Sequence, residues 1–77
     1  MTVEGIISKQ ERPNGQGSYY QLTTEGGVLL AISMTESTKP ADDAKVLEPL
    51  IDKKVRADGI MRGTRIGQFM AFSIAEA

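Results

Sequence analysis

The sequence predicts a small, mostly β protein: a five-stranded antiparallel barrel with one short helix between its third and fourth strands. Three observations lead there. Apolar and β-branched residues recur at every second position in five separate runs. Clusters of Gly, Pro and Asn punctuate those runs. One stretch, around residues 42–51, changes instead to a helical spacing of apolar side chains. The chain has 77 residues, room for a single domain spanning 1–77. A domain this small buries barely enough apolar surface to offset its lost chain entropy. A well-filled core, or a partner chain, is therefore expected.

Val3 to Ser8 reads as the first strand, interrupted by Gly5. The polar stretch from Lys9 to Gly17 follows, and its Pro13, Asn14-Gly15 and Gly15-Gln16-Gly17 elements mark a flexible connection. Ser18 to Thr24 alternates as a second strand, with Tyr20, Leu22 and Thr24 on one face and Tyr19, Gln21 and Thr23 on the other. Glu25-Gly26-Gly27 is a tight turn, because glycine adopts positive φ at no steric cost. Val28 to Met34 is then a third strand with Val28, Leu30, Ile32 and Met34 facing the core.

After Met34, the stretch from Thr35 to Pro40 is a polar connection. Asp42 or Asp43 caps a helix of about two turns carrying Val46, Leu47, Leu50 and Ile51 on one side. Pro49 cannot sit in a helix interior, so the helix should end or kink near Glu48. Lys54 to Met61 is a fourth strand with Val55, Ala57, Gly59 and Met61 on one face. Arg62 to Arg65 is a hairpin loop, and Ile66 to Ala75 a fifth strand. Alternation along that last strand puts Ile66, Met70, Phe72 and Ile74 inside, and Gly67, Phe69, Ala71 and Ser73 outside. The expected core is Val28, Leu30, Ile32, Val55, Met70, Phe72 and Ile74. Gly5 and Gly59, inside strands, mark bulges or bends of the kind that let a small sheet close.

Nine basic and ten acidic residues leave a formal charge of −1, so no general electrostatic attraction draws the chain to phosphate backbones or anionic membranes. Without His or Cys, Ser-His-Asp triads, thiolate nucleophiles and the common zinc sites are excluded. No Gly-rich phosphate loop with a Lys-Ser/Thr ending is present. No cofactor, metal or enzymatic activity is therefore expected. The longest apolar run, Val28 to Ile32, is too short to cross a bilayer, and the first residues lack the pattern of a signal peptide, so a cytoplasmic protein is expected.

The strand order, the helix between strands three and four, and the segment Leu47-Glu48-Pro49-Leu50-Ile51-Asp52-Lys53-Lys54-Val55-Arg56-Ala57-Asp58-Gly59 together resemble the OB-fold. Asp52 departs from it by standing at a turn position where such domains often carry Gly. An SH3-like barrel and an open β-meander with a docked helix are the competing architectures. The resemblance implies a ligand face on the outer side of strands two and three, bordered by the loops after strand one and between strands four and five.

Carried onto this sequence, that face presents Tyr19, Gln21, Thr23, Leu29, Ala31 and Ser33, with Arg12 in one bordering loop, Arg62 and Arg65 in the other, and Arg56 nearby. Tyr19 is either a platform on which a base stacks or an ordinary half-buried strand tyrosine. The basic residues Lys53, Lys54, Arg56, Arg62 and Arg65 are either an anion-contacting edge or balanced surface charge. Two functions follow. One is a non-catalytic binding module for single-stranded nucleic acid or another extended polyanion. The other is a protein-interaction or assembly module, including a homodimer, whose signature is exposed Leu29, Ala31, Phe69 and Ala71. Oligosaccharide or small-ligand binding is a third reading. The neighbours of Tyr19 discriminate: cations favour nucleic acid, apolar groups a protein partner.

Overall fold

The computed structural model describes residues 1–35, 40–63 and 67–77. Five strands carry the fold: β1 (Thr2–Glu11), β2 (Ser18–Thr24), β3 (Leu29–Met34), β4 (Lys54–Arg62) and β5 (Gln68–Glu76). One helix, α1 (Pro40–Leu47), lies between β3 and β4. Short 3₁₀ turns occupy Pro13–Gly15 and Glu48–Leu50. The protein is thus mostly β, with one short helix where the sequence predicts it. The strands pair in the closed order β1-β2-β3-β5-β4, and β1 bonds to both β2 and β4.

One expectation is corrected at once. The sheet is mixed, because β3 and β5 run parallel from Ala31↔Gln68 to Met34↔Ala71. Parallel neighbours need a long crossover between them, and the segment containing α1 and β4 supplies it. The other four pairings are antiparallel.

The β1–β2 connection is more regular than its composition suggests. β1 continues to Glu11, which pairs with Ser18, and the Arg12 N–H donates to the Gly17 carbonyl at 2.7 Å. At the tip, Asn14 (φ 61°) and Gly15 (φ 69°) are both left-handed, as a type I′ hairpin turn requires. The Glu25-Gly26-Gly27 turn is also found, but it reaches one residue further than expected. The Thr24 N–H donates to the Val28 carbonyl and the Val28 N–H to Thr24 Oγ1. Val28 therefore belongs to the turn and is exposed, not a core residue as its place in the alternation suggested.

α1 ends at Leu47, and Pro49 sits in the following 3₁₀ turn, where the missing amide hydrogen costs nothing. Asp42 and Asp43 lie in the first turn of α1, where carboxylates suit the helix dipole. Asp43 Oδ1 also accepts the Met34 N–H at 2.9 Å, which ties the helix start to the end of β3. Asp52 has φ 67°, a left-handed conformation that Asp tolerates better than most residues; this is the turn position where Gly was the alternative.

The core comprises Ile7, Tyr20, Leu22, Leu30, Ile32, Leu47, Val55, Ala57, Phe69 and Ala71, with Val3, Met34, Ala44, Leu50, Ile51 and Ile74 packed against it. On β2, β3 and β4 the expected inner faces hold for Tyr20 and Leu22, Leu30 and Ile32, Val55 and Ala57, all buried, whereas Met61, expected on the same face of β4, is exposed.

On β5 they do not, and Phe72 is the second correction. Met70, expected in the core, pairs with exposed Ile60 and is only partly buried, and Ile66 lies outside the described residues. Phe69 and Ala71 are fully buried, whereas Phe72 is 59% exposed. A β-bulge is the cause. Asp58 pairs with Ser73 and Gly59 with Ala71, so Phe72 is the extra residue opposite no partner. The bulge flips the alternation, so that Phe69, Ala71 and Ile74 all face inward while Phe72 is thrown out. Gly59 makes this possible: a Cβ there would collide with the Met70 carbonyl and the Ala71 backbone. Gly5 is needed for the same reason where β1 changes partner from β4 to β2, since a Cβ would strike the Thr23 carbonyl and the Leu22 side chain.

Candidate ligand-binding face

Strand alternation places Tyr19, Gln21 and Thr23 on the outer side of β2, and Leu29, Ala31 and Ser33 beside them on β3. All six are at least partly exposed, so the face has the membership read from the sequence. Register extends it into a row across all five strands: Ser8, Gln21, Ala31, Gln68 and Arg62 are successive cross-strand partners. Ala31 keeps the middle of that row low, between two glutamine amides that can donate and accept hydrogen bonds.

The chemistry concentrates at the β1–β2 end. The guanidinium carbon of Arg12 stands 5.3 Å from the centroid of the Tyr19 ring, a cation–π arrangement. Arg12 also lines an open recess of about 490 Å³ with Lys9, Glu11, Gly15, Gly17 and Ser18. By alternation Lys9, Glu11 and Ser18 share the side of Ile7 and Tyr20, so the recess opens at the end of the inner face rather than on the Tyr19 side. Gly15 and Gly17 have nothing within 4 Å of where a Cβ would be, which leaves backbone open to an approaching ligand. Lys9 and Ser18 escaped the sequence reading because Lys9 was read as part of the Lys9–Gly17 connection, whereas β1 runs on to Glu11, and Ser18 as an ordinary strand residue. The signal for Lys9 was its spacing of two from the core residue Ile7, which points it over the end of the sheet.

Below this surface a polar latch fixes the strand. The Tyr20 hydroxyl donates to Glu48 Oε2, and Lys9 Nζ lies 3.5 Å from the same oxygen and 5.9 Å from the Tyr20 ring centroid. The bond to the Glu48 carboxylate, reinforced by burial, raises the Tyr20 phenol pKa from 10.0 to about 12. The same bond holds the Glu48 carboxyl below its ordinary range. The latch joins the 3₁₀ turn after α1 to β2, so Tyr19, the preceding residue, projects from a strand that is anchored on its inner side.

The candidate cations divide into two groups. Arg56 stands opposite Glu4 in the β1–β4 register, and its Nε and Nη2 reach Glu4 Oε2 at 3.2 and 3.1 Å. It is neutralised there and is not brought to the β2–β3 face. Lys53 and Lys54 are likewise paired, with Glu76 at 3.3 Å and Glu25 at 2.9 Å. The Lys54 contact lowers the Glu25 pKa and raises that of Lys54. Arg12 and Arg62 have no carboxylate partner among the described residues. Arg62, at the end of β4, turns its Nη1 to Met70 Sδ at 3.3 Å. Its strand is two steps from that of Tyr19 through β1, and three steps along the row from Gln21 through Ala31 and Gln68. Arg65 lies outside the described residues. The structure therefore brings together Arg12, Tyr19 and Gln21, and leaves Arg62 and Arg56 elsewhere on the sheet.

No group of three or more metal-ligating side chains occurs among the described residues. Comparison with protein-family models, curated proteins and solved structures returns no match to this chain.

Proposed function

We propose that this chain is a non-catalytic binding module of the OB type whose β2–β3 face and β1–β2 hairpin take an extended polyanion, with single-stranded nucleic acid as the ligand class. The observation that carries the reading is the Arg12 guanidinium held over the Tyr19 ring with no carboxylate partner among the described residues. An aromatic face with an adjacent cation suits an unpaired base and its phosphate. The closed strand order and the helix between β3 and β4 support the OB assignment, and with it the location of a ligand face on β2 and β3. Gln21 and Gln68 would supply base-edge or sugar hydrogen bonds across the low Ala31 floor.

The test is a salt-dependent titration of a fluorescent single-stranded oligonucleotide. Tyr19→Ala should weaken binding by roughly five- to a hundredfold, the value of one lost stacking contact. Arg12→Ala should flatten the slope of log affinity against log salt by about 0.7, as expected for one phosphate contact on a single strand. Failure of oligonucleotides of every composition to bind below about 100 mM salt would eliminate this reading.

A further inference from the structure

The outer face of β4 and β5 differs in chemistry from the β2–β3 face. Outward along β4 stand Asp58, Ile60 and Arg62, every second residue, and all three are exposed. Across from them on β5 are Met70, the cross-strand partner of Ile60, and Phe72, the bulge residue. Ile60 is 47% and Phe72 59% exposed. An aliphatic side chain and a phenyl ring side by side on a rigid sheet are costly to leave in water, and they mark an interaction surface. The bulge that puts Phe72 there spends a ring that the adjacent alternation would have buried.

The charges around this patch say what covers it. Among the described residues Asp58 accepts the Thr2 hydroxyl but pairs with no cation, and Arg62 pairs with no carboxylate. They lie on either side of Ile60, each two residues away. A two-fold axis through Ile60 turns this order end for end, so Asp58 of one copy meets Arg62 of the second, and the reverse, while Ile60 meets Ile60. A two-fold contact must be self-complementary in this way. We infer that the chain forms a homodimer through the outer faces of β4 and β5, with Ile60 on the axis, Met70 and Phe72 flanking it, and two reciprocal Asp58–Arg62 pairs at the ends. The Arg62 guanidinium, now against Met70 Sδ, is within the patch and needs only a side-chain rotation to meet its partner.

The test is sedimentation equilibrium on the full chain from about 10 µM to about 1 mM, a range matched to a small interface. The mass should rise with concentration from 8.3 kDa toward twice that value. Ile60→Asp should hold it at the monomer value. Asp58→Arg alone and Arg62→Asp alone should each raise the dissociation constant at least about tenfold by setting like charges together. The double charge swap should restore it to within about threefold, because both reciprocal pairs are rebuilt. Far-UV circular dichroism confirms that each variant folds, and the swap does not depend on Ile60→Asp folding. A mass of 8.3 kDa at every concentration overturns the inference, as does a double variant no tighter than the singles. So does a persistent monomer in which Phe72→Ala weakens oligonucleotide binding, a result that would give this face to nucleic acid.

Discussion

β2 and β5 make an instructive pair. Each carries two aromatic residues, and in each the local alternation nominates one aromatic for the core. On β2 the nomination is right: Tyr20 is buried with Leu22, and Tyr19 faces outward. On β5 it is reversed: Phe69 is fully buried and Phe72 exposed. The two strands differ in their neighbours, not in their own composition. β2 pairs residue for residue with β1 and β3, whereas β5 slips by one residue against β4 at Asp58/Gly59. Which way a side chain faces is a property of the pair of strands, and a single strand's sequence contains only half of it.

The largest test of that contrast is energetic. Phe69→Ala should destabilise by roughly 3–5 kcal/mol, as expected for an aromatic removed from a packed interior, and Phe72→Ala by less than about 1 kcal/mol. Urea unfolding measures both, and equal losses would abolish the difference between the two rings. Gly59→Ala comes next. Its new methyl group would meet backbone of Met70 and Ala71, and about 2 kcal/mol is the usual scale of such overpacking. Gly15→Ala, in the hairpin that β2 completes, has open space around it and should lose only about 1 kcal/mol, from its left-handed φ of 69°.

Tyr20→Phe is the smallest change and probes the β2 side alone. Loss of the hydroxyl bond to Glu48 should cost about 1 kcal/mol at pH 7. The folded phenol titrates at about 12 and the unfolded one at 10.0. The folded state thus keeps a proton that the unfolded state gives up, and this contribution is complete below pH 10 and lost as pH climbs toward 12. Glu48 shifts in the opposite sense: its carboxyl lies below the ordinary range, so its contribution is present at neutral pH and lost as acid protonates it. The stability difference between wild type and Tyr20→Phe should narrow at both extremes. A difference constant from pH 3 to pH 12 would show that the latch is not formed.

Much of the architecture was legible because short-range signals agree with one another. Ser18–Thr24 was bounded correctly by its alternation, and the helix end by Pro49; its start was not, since α1 begins at Pro40 and the acidic pair lies inside its first turn instead of capping it. What was not legible depends on residues far apart in the chain. The parallel β3–β5 contact follows from ring closure, not from any motif. Val28 looked like a core residue until its carbonyl was found closing the turn with Thr24. For the candidate site, Tyr19 and Gln21 were readable from period two alone, and Arg12 from its place in the loop. Pairing of Arg56 with Glu4 was not, since those residues are 52 positions apart and meet only through the β1–β4 register. Phe69 and Ala71, expected as an exposed signature of an interaction surface, proved to be core. Leu29, from the same expected signature, is exposed, and Ile60 and Phe72 are exposed apolar residues that the signature did not include.

The closed sheet is in effect a three-stranded meander and a two-stranded hairpin stitched together along two seams. One is the β1–β4 seam, which runs from Thr2↔Asp58 to Ile6↔Lys54. The other is the parallel β3–β5 seam, only four residues long, with the Ala31 and Thr35 amides donating into β5 and its approach at 2.9 Å each. The shorter seam is the weak point of the ring. Its opening would leave every other pairing intact and yet convert a sheet without edges into one with two, on β3 and β5, each able to recruit a foreign strand. Native-state hydrogen exchange should therefore find Ala31 and Thr35 released by a smaller excursion than the amides linking β1 to β2. Solution conditions that favour this opening should be those under which the protein begins to aggregate.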